Sequence, residues 1–293
     1  MDLTDILKEK RPNLSDGSLR TYKSILTNIY RRCYPEDEEI KISKLNDDKC
    51  IIDHLKDVPY SRRKTTLAAL VVLTGNKTYT KLMLQDIDSY KAKQNMQEAD
   101  GKFENMIPFT EVEAILKSLE KQAKQIYMKD KLNMTDLQNI QNYILLSLTG
   151  GVYMAPRRSQ EWVMKWRNYD EEKDNFFDLK GKRFVFNEFK TRKQKGQQII
   201  EVPKPLLAIL KKWIAVLPAD EDYVLFDTKG NPITPSQITH RLNTIFDKPI
   251  STSMLRHIFL TSKFSGVNLK DLKDTANAMG QNNIETTLSY VKK

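Results

Sequence analysis

Cysteine is nearly missing from this sequence: 293 residues hold two, Cys33 and Cys50. Two cysteines cannot build a disulfide framework, so a disulfide-stapled secreted scaffold is excluded, and the pair reads as buried thiols in a reducing, intracellular compartment. Histidine is almost as scarce. His54, His240 and His257 are scattered and show no metal-ligand spacing, so neither a metal nor any other cofactor is expected. There is no Gly-x-x-x-x-Gly-Lys-Ser/Thr loop to cradle a nucleotide phosphate. The longest apolar run, "LAALVVL" at 67–73, is far below the roughly 18–20 residues of a membrane span. "MDLTDILKEK" lacks the apolar stretch of a signal peptide, and no internal repeat or low-complexity tract interrupts the chain.

What is abundant is positive charge. Against 38 Asp and Glu stand 48 Lys and Arg, a net charge of +10. Such a surplus favours a polyanionic partner, and double-stranded DNA is the leading candidate.

The first third has helical periodicity. In "SLRTYKSILTNIYRRCY", Leu19, Tyr22, Leu26, Ile29, Tyr30 and Cys33 recur at three- and four-residue steps, which places them on one face. A further helix fits "SRRKTTLAALVVLTG", closed by Gly75. It opens with Arg62, Arg63 and Lys64, which do not complement a helix dipole at that end. Phosphate contact is one reason to find them there, and a solvated basic face is the other.

Periodicity then fades. Gly101 and Pro108 break regular structure, giving a helical domain at 1–98, a linker at 99–107 and a second domain at 108–293. Thr110 with Glu113, Thr135 with Gln138, and Thr234 with Gln237 are spaced as capping boxes, and the last has Pro235 at the first helical position. Between these helices "RFVFNEFKT" and "GQQIIEVP" alternate and flank "RKQKG", which predicts a β-hairpin with a basic turn. The expected fold class is therefore mainly α with a small antiparallel β-sheet. On the capped helix, His240 and Arg241 are expected to face DNA.

Three separated stretches carry basic residues from which a site could be assembled: "APRRSQEWVMKW", "NEFKTRKQKG" and "SMLRHIFLTS". Their order, and the ending "MGQNNIETTLSY", resemble the tyrosine recombinase (phage integrase) family over residues 108–293, with the helical first third in the place of that family's core-binding domain. The resemblance implies a two-domain architecture and a catalytic set. Arg157, nine residues before Trp166, matches the first arginine, with Arg158 the alternative because Glu161 follows it by three. Lys190 resembles the hairpin lysine, with Lys193 and Lys195 as turn alternatives. Arg256 in "SMLRHIFLT" matches the second arginine, and Tyr290 the nucleophile. Two positions depart from the pattern: Ser253 stands where histidine is usual, and Gln281 where His or Trp is usual. Neither can accept a proton near neutral pH, so slow cleavage is expected. His257 reads as a structural hydrogen-bonding residue.

The chemistry accounts for these residue types. A phenol's ordinary pKa is near 10, so attack on a phosphodiester at neutral pH needs cations that favour phenolate. Guanidinium forks match phosphate oxygens, and a lysine can protonate the leaving 5′ oxygen. The resulting 3′-phosphotyrosine keeps the bond energy, so rejoining needs neither ATP nor metal. The activity this implies is site-specific recombination or integration. Relaxation by a type IB topoisomerase and a catalytically decayed DNA-binding protein are the alternatives. Only Val291, Lys292 and Lys293 follow Tyr290, so a monomer that self-assembles on DNA is expected.

Overall fold

The structure is a computed structural model that describes residues 2–95, 104–264 and 269–280. The chain divides into two compact units, Met1–Asp100 and Gly101–Lys293.

The first unit is helical throughout its described residues: α1 (Leu3–Lys10), α2 (Asp16–Cys33), α3 (Ile42–Leu45), α4 (Asp48–Leu55), α5 (Tyr60–Thr74) and α6 (Lys77–Asn95). Ser15 starts α2 by accepting a hydrogen bond from the Ser18 backbone N–H at 3.2 Å. The spacing of Leu19, Leu26, Ile29 and Tyr30 becomes the buried face of α2. Gly75, at φ 68°, ends α5 in the left-handed conformation that a side chain disfavours. α5 packs against α6, α2 and α1, burying Leu67, Leu70 and Leu73. A leucine fully removed from water contributes on the order of 2 kcal/mol, so this central helix organises the unit.

One expectation is overturned here. Cys33 and Cys50 are half-buried and disulfide-bonded, their Cα atoms 5.8 Å apart. Periodicity places a cysteine on a helix face but does not say which helix comes to lie beside it. The end of α2 and the start of α4 meet at these two residues.

The second unit contains α7 (Phe109–Ile126), α8 (Met134–Thr149), a 3-10 turn at Ser159–Trp162, β1 (Phe176–Asp178), β2 (Arg183–Phe186), α9 (Arg192–Lys195), β3 (Gln198–Glu201), α10 (Lys204–Ile214), α11 (Pro235–Phe246), α12 (Thr252–Phe264) and α13 (Leu269–Ala278). The strands form one antiparallel sheet in the order β1-β2-β3, with Phe177 opposite Phe184 and Phe184 opposite Ile200. Trp162, Phe177, Phe184, Phe186 and Trp213 anchor the core beneath it. The fold is mainly α with a small antiparallel sheet, as its patterning predicts.

Local details differ from the sequence reading. The Thr234–Gln237 capping box forms, with Pro235 at the first position. The other two do not. α7 begins at Phe109 behind Pro108, with no side-chain cap, so Thr110 already lies inside the helix. α8 is capped by a reciprocal Asn133–Asp136 box, two residues before the Thr135–Gln138 pair. The hairpin is also shorter than its alternation suggests. Asn187 leaves the ladder because its side-chain N–H₂ donates to the Glu171 and Asp174 carbonyls, both at 2.8 Å. The basic turn is then a single helical turn, α9, followed by Gly196. Among the described residues no helix is long and apolar enough to cross a membrane.

Candidate active site

The segment after α8 carries the first arginine into the interior of the second unit. Arg157 is fully buried and Arg256, on α12, is 1% exposed. The Arg157 guanidinium lies 4.4 Å from the ring centre of Phe186, at the end of β2. Its Nη1 donates to the Ala278 carbonyl at 2.8 Å, and its Nη2 to Gln198 Oε1 at 2.5 Å. One side chain thus joins the first basic stretch, the hairpin and the end of α13.

Gly280 completes this convergence. It holds φ 69°, and a Cβ there would lie 2.9 Å from Arg157 Nη2. Its carbonyl accepts from Thr191 Oγ1 at 3.2 Å. The glycine of "MGQNN" is therefore required twice over, for its backbone conformation and for close approach to the arginine. Ser159 Oγ lies 3.3 Å from Thr252 Oγ1, tying the 3-10 turn to the start of α12.

Glu161 is the carboxylate among these groups. It is fully buried, accepts no hydrogen bond among the described residues, and faces Arg157 Nη2 at 3.7 Å. Burial raises its pKa, while Arg157, Arg158 and Arg256 oppose that rise. Burial pushes the Arg157 guanidinium down to about 10; Glu161 works against this, and Arg158 and Arg256 add to it. Arg157 therefore remains charged at neutral pH. Lys195 on α9 is also lowered, first by burial and then by Arg157 and Arg158. Three arginines bear on Glu161, and the charge of Lys195 is coupled to two of them. Such a cluster of cations can stabilise charge gathering on phosphate oxygens and favour the phenolate form of a tyrosine brought to it.

The other sequence candidates are distributed as follows. Arg158 is half-buried, Lys190 and Lys193 are exposed, and Ser253 is exposed three residues before Arg256 on α12. His257 is buried beside Arg256 in the chain. Gln281 and Tyr290 lie outside the described residues. His240 is exposed, whereas Arg241 turns inward, its Nη1 3.3 Å from Gln141 Oε1 and its Nη2 3.3 Å from the Phe226 carbonyl. In the first unit Arg62 is exposed. Arg63 instead grips the buried Asp86 through Nη2 at 2.6 Å and Nε at 2.8 Å, and Lys64 stands over the Tyr90 ring. These two basic residues at the start of α5 thus have partners within their own unit.

Sequence reasoning missed two groupings that the structure brings into play. Gln198 is an ordinary strand residue by its pattern, and only the fold sets it against Arg157. Cys50 and His54 are four residues apart on α4, a spacing that could have been noticed, and Cys33 joins them in space.

No protein-family model matches the chain, and no curated protein matches its sequence. Among solved structures it is similar to a lambda integrase dimer bound to a COC′ core site, at 12% identity and a TM-score of 0.50, over 100% of this chain and 77% of that one. It is also similar to the XerH site-specific recombinase bound to difH substrate in a pre-cleavage complex, at 14% identity and a TM-score of 0.49, over 98% and 91% of the two chains. XerA recombinase matches at 12% identity and a TM-score of 0.42, over 100% and 94%. These identities speak for the fold alone, and at that level the mainly α fold with a small antiparallel sheet matches that of lambda integrase.

Proposed function

We propose that this chain is a DNA strand transferase that cleaves and rejoins specific sites through a 3′-phosphotyrosine link at Tyr290, without ATP or metal. The observation that carries the reading is the meeting of Arg157, Arg256 and the Ala278–Gly280 turn in one buried, cation-rich cluster. That turn leads directly into Gln281 and the Tyr290 segment. Guanidinium groups gathered in this way match the oxygens of a phosphodiester.

In this mechanism Tyr290 attacks phosphorus, the tyrosine oxygen–phosphorus bond forms, and the bond to the 5′ oxygen breaks. Arg157 and Arg256 stabilise the charge on the non-bridging oxygens, with Arg158 as a neighbouring cation. A lysine from the hairpin region protonates the leaving oxygen. Lys195, half-buried on α9 with its charge coupled to Arg157 and Arg158, and Lys190, exposed at the end of the hairpin strand, are the candidates for this role. Exposed Arg62, Lys193 and His240 are available to duplex phosphates, and double-stranded DNA is the partner on which subunits assemble. The lambda integrase neighbour is itself a dimer on DNA.

The test is covalent capture. The protein is incubated with a library of nicked duplexes carrying candidate element ends, and protein-linked DNA is sequenced. Tyr290→Phe is expected to abolish the covalent product while keeping DNA affinity, since one hydroxyl is lost from a footprint of many phosphate contacts. Equal capture by Tyr290→Phe removes the assignment. A substrate with sulfur at the 5′ bridging position needs no proton on its leaving group, so it should rescue Lys195→Ala and not Arg256→Lys.

A further inference from the structure

The disulfide of the first unit has a third member. His54 Nδ1 lies 3.7 Å from Cys33 Sγ and 3.5 Å from Cys50 Sγ, and the three ligand atoms fit within 4.8 Å of one another. Cys50 and His54 share a face of α4 one helical turn apart, while Cys33 arrives from the last turn of α2. The cysteines are half-buried and His54 is exposed. Two soft sulfurs and an imidazole are a donor set suited to zinc, and thiolate excludes the harder magnesium and calcium ions.

Distance decides whether the set could close on one ion. With zinc–sulfur bonds of about 2.3 Å and zinc–nitrogen bonds of about 2.05 Å, a tetrahedron has a nitrogen-to-sulfur edge of about 3.6 Å. Both observed separations lie within about 0.2 Å of that edge, so the imidazole needs little movement. The sulfurs must separate once their bond is broken. Nδ1 also lies 3.0 Å from the Cys50 carbonyl, to which it donates when protonated there. In the metal-bound form the ring proton moves to Nε2, and Nδ1 presents its lone pair.

We propose that Cys33, Cys50 and His54 form a zinc site in the reduced protein, with water in the fourth position, and that the disulfide is the oxidised state of the same clasp between α2 and α4. Opening the disulfide takes two electrons and two protons from a cellular thiol reductant, which leaves as its own disulfide. Zinc then displaces the two thiol protons and closes the clasp again. Either state fixes the end of α2 to α4, so the unit keeps one geometry in both redox conditions. The inference concerns the first unit and is independent of the strand-transfer reading.

Cobalt reports on such a site directly. The full chain, reduced with a phosphine, is titrated with Co²⁺. The expected result is one equivalent bound, with sulfur-to-cobalt charge transfer and the strong visible bands of a tetrahedral ion, bleached by one equivalent of Zn²⁺. Since the chain has only two cysteines, any thiolate band belongs to this pair. Oxidation with a diazene oxidant should release one zinc for each pair of thiols lost. His54→Asn, which keeps both sulfurs and can still form the disulfide, should weaken zinc binding at least about tenfold, and Cys33→Ser should remove the charge-transfer band. Absence of that band in the reduced wild type overturns the site. So does a His54→Asn protein with unchanged spectrum and affinity.

Discussion

Two arginine–carboxylate contacts, one in each unit, show what a structural pair looks like and how the candidate site differs from it. Arg63 meets Asp86 with two short, parallel hydrogen bonds, and the carboxylate is otherwise buried. Arg157 and Glu161 are both fully buried, yet they stand 3.7 Å apart and the arginine gives its hydrogen bonds elsewhere. The first pair is one cation to one anion. In the second, Arg158 and Arg256 also bear on Glu161. Burying an ion costs several kcal/mol even after relaxation, so a fold under stability pressure alone gains little by collecting arginines around one glutamate.

The comparison is broken most severely at the arginines themselves. Arg157→Lys or Arg256→Lys keeps one positive charge but loses the planar fork, and each should slow covalent capture of DNA by about 10²–10³-fold. Arg63→Lys should leave the capture rate per folded molecule within about threefold of wild type, since an ion pair satisfied within the first unit adds nothing to the transition state. Comparable losses at Arg63 and Arg256 would erase the distinction between the two pairs.

Ser253→His tests the smaller catalytic term. The site lies three residues before Arg256 on an exposed face of α12, where an imidazole can be added without repacking the core. If a missing base limits the reaction, single-turnover cleavage should quicken by about tenfold or more. An unchanged rate would mean that proton removal is not limiting.

Stability is where Arg63 should matter. Arg63→Ala strands a carboxylate that is nearly enclosed, while the arginine itself is partly exposed, so the expected loss is about 2 kcal/mol in urea unfolding of the first unit. Glu161→Gln should behave differently with pH. Because burial raises the folded-state pKa of Glu161, its contribution is fully present below the unfolded-state pKa and is lost as pH rises through the folded value. Wild type should thus lose stability relative to Glu161→Gln as pH rises from the acid range toward neutrality.

The same contrast marks what could be read from the chain. Helix faces and their ends were legible where the signal is local: the apolar stripe of α2, Gly75 after α5, and Thr234-Pro235 before α11 each determine structure within a few residues. Arg157, Arg256 and the residues preceding Gln281 were legible as motifs because their order along the chain is itself informative. The partners were not. Nothing near Arg63 in sequence announces Asp86, 23 residues away, and nothing near Arg157 announces Gln198 or Ala278, 41 and 121 residues away. Arg241 was read as DNA-facing for the same reason, before Gln141 and Phe226 were known to lie beside it. Charge is visible in a sequence, but what neutralises it is a property of the fold.

Helix caps give the smallest and cleanest test of that boundary. Of Thr110–Glu113, Thr135–Gln138 and Thr234–Gln237, which all have capping-box spacing, only Thr234–Gln237 closes, while α8 uses Asn133 and Asp136 instead. Spacing is necessary for the box, but the entering chain must also be extended at the cap, and Asn133 has that backbone conformation with φ −97° and ψ 175°. Thr110 and Thr135 already lie within α7 and α8, where a hydroxyl has no unpaired end amide of its own to satisfy. Asn133→Ala and Thr234→Ala should therefore each cost about 1 kcal/mol in urea unfolding, and Thr110→Ala and Thr135→Ala less than about 0.5 kcal/mol. A loss at Thr135 equal to that at Asn133 would place the start of α8 at the residue its sequence spacing first indicates.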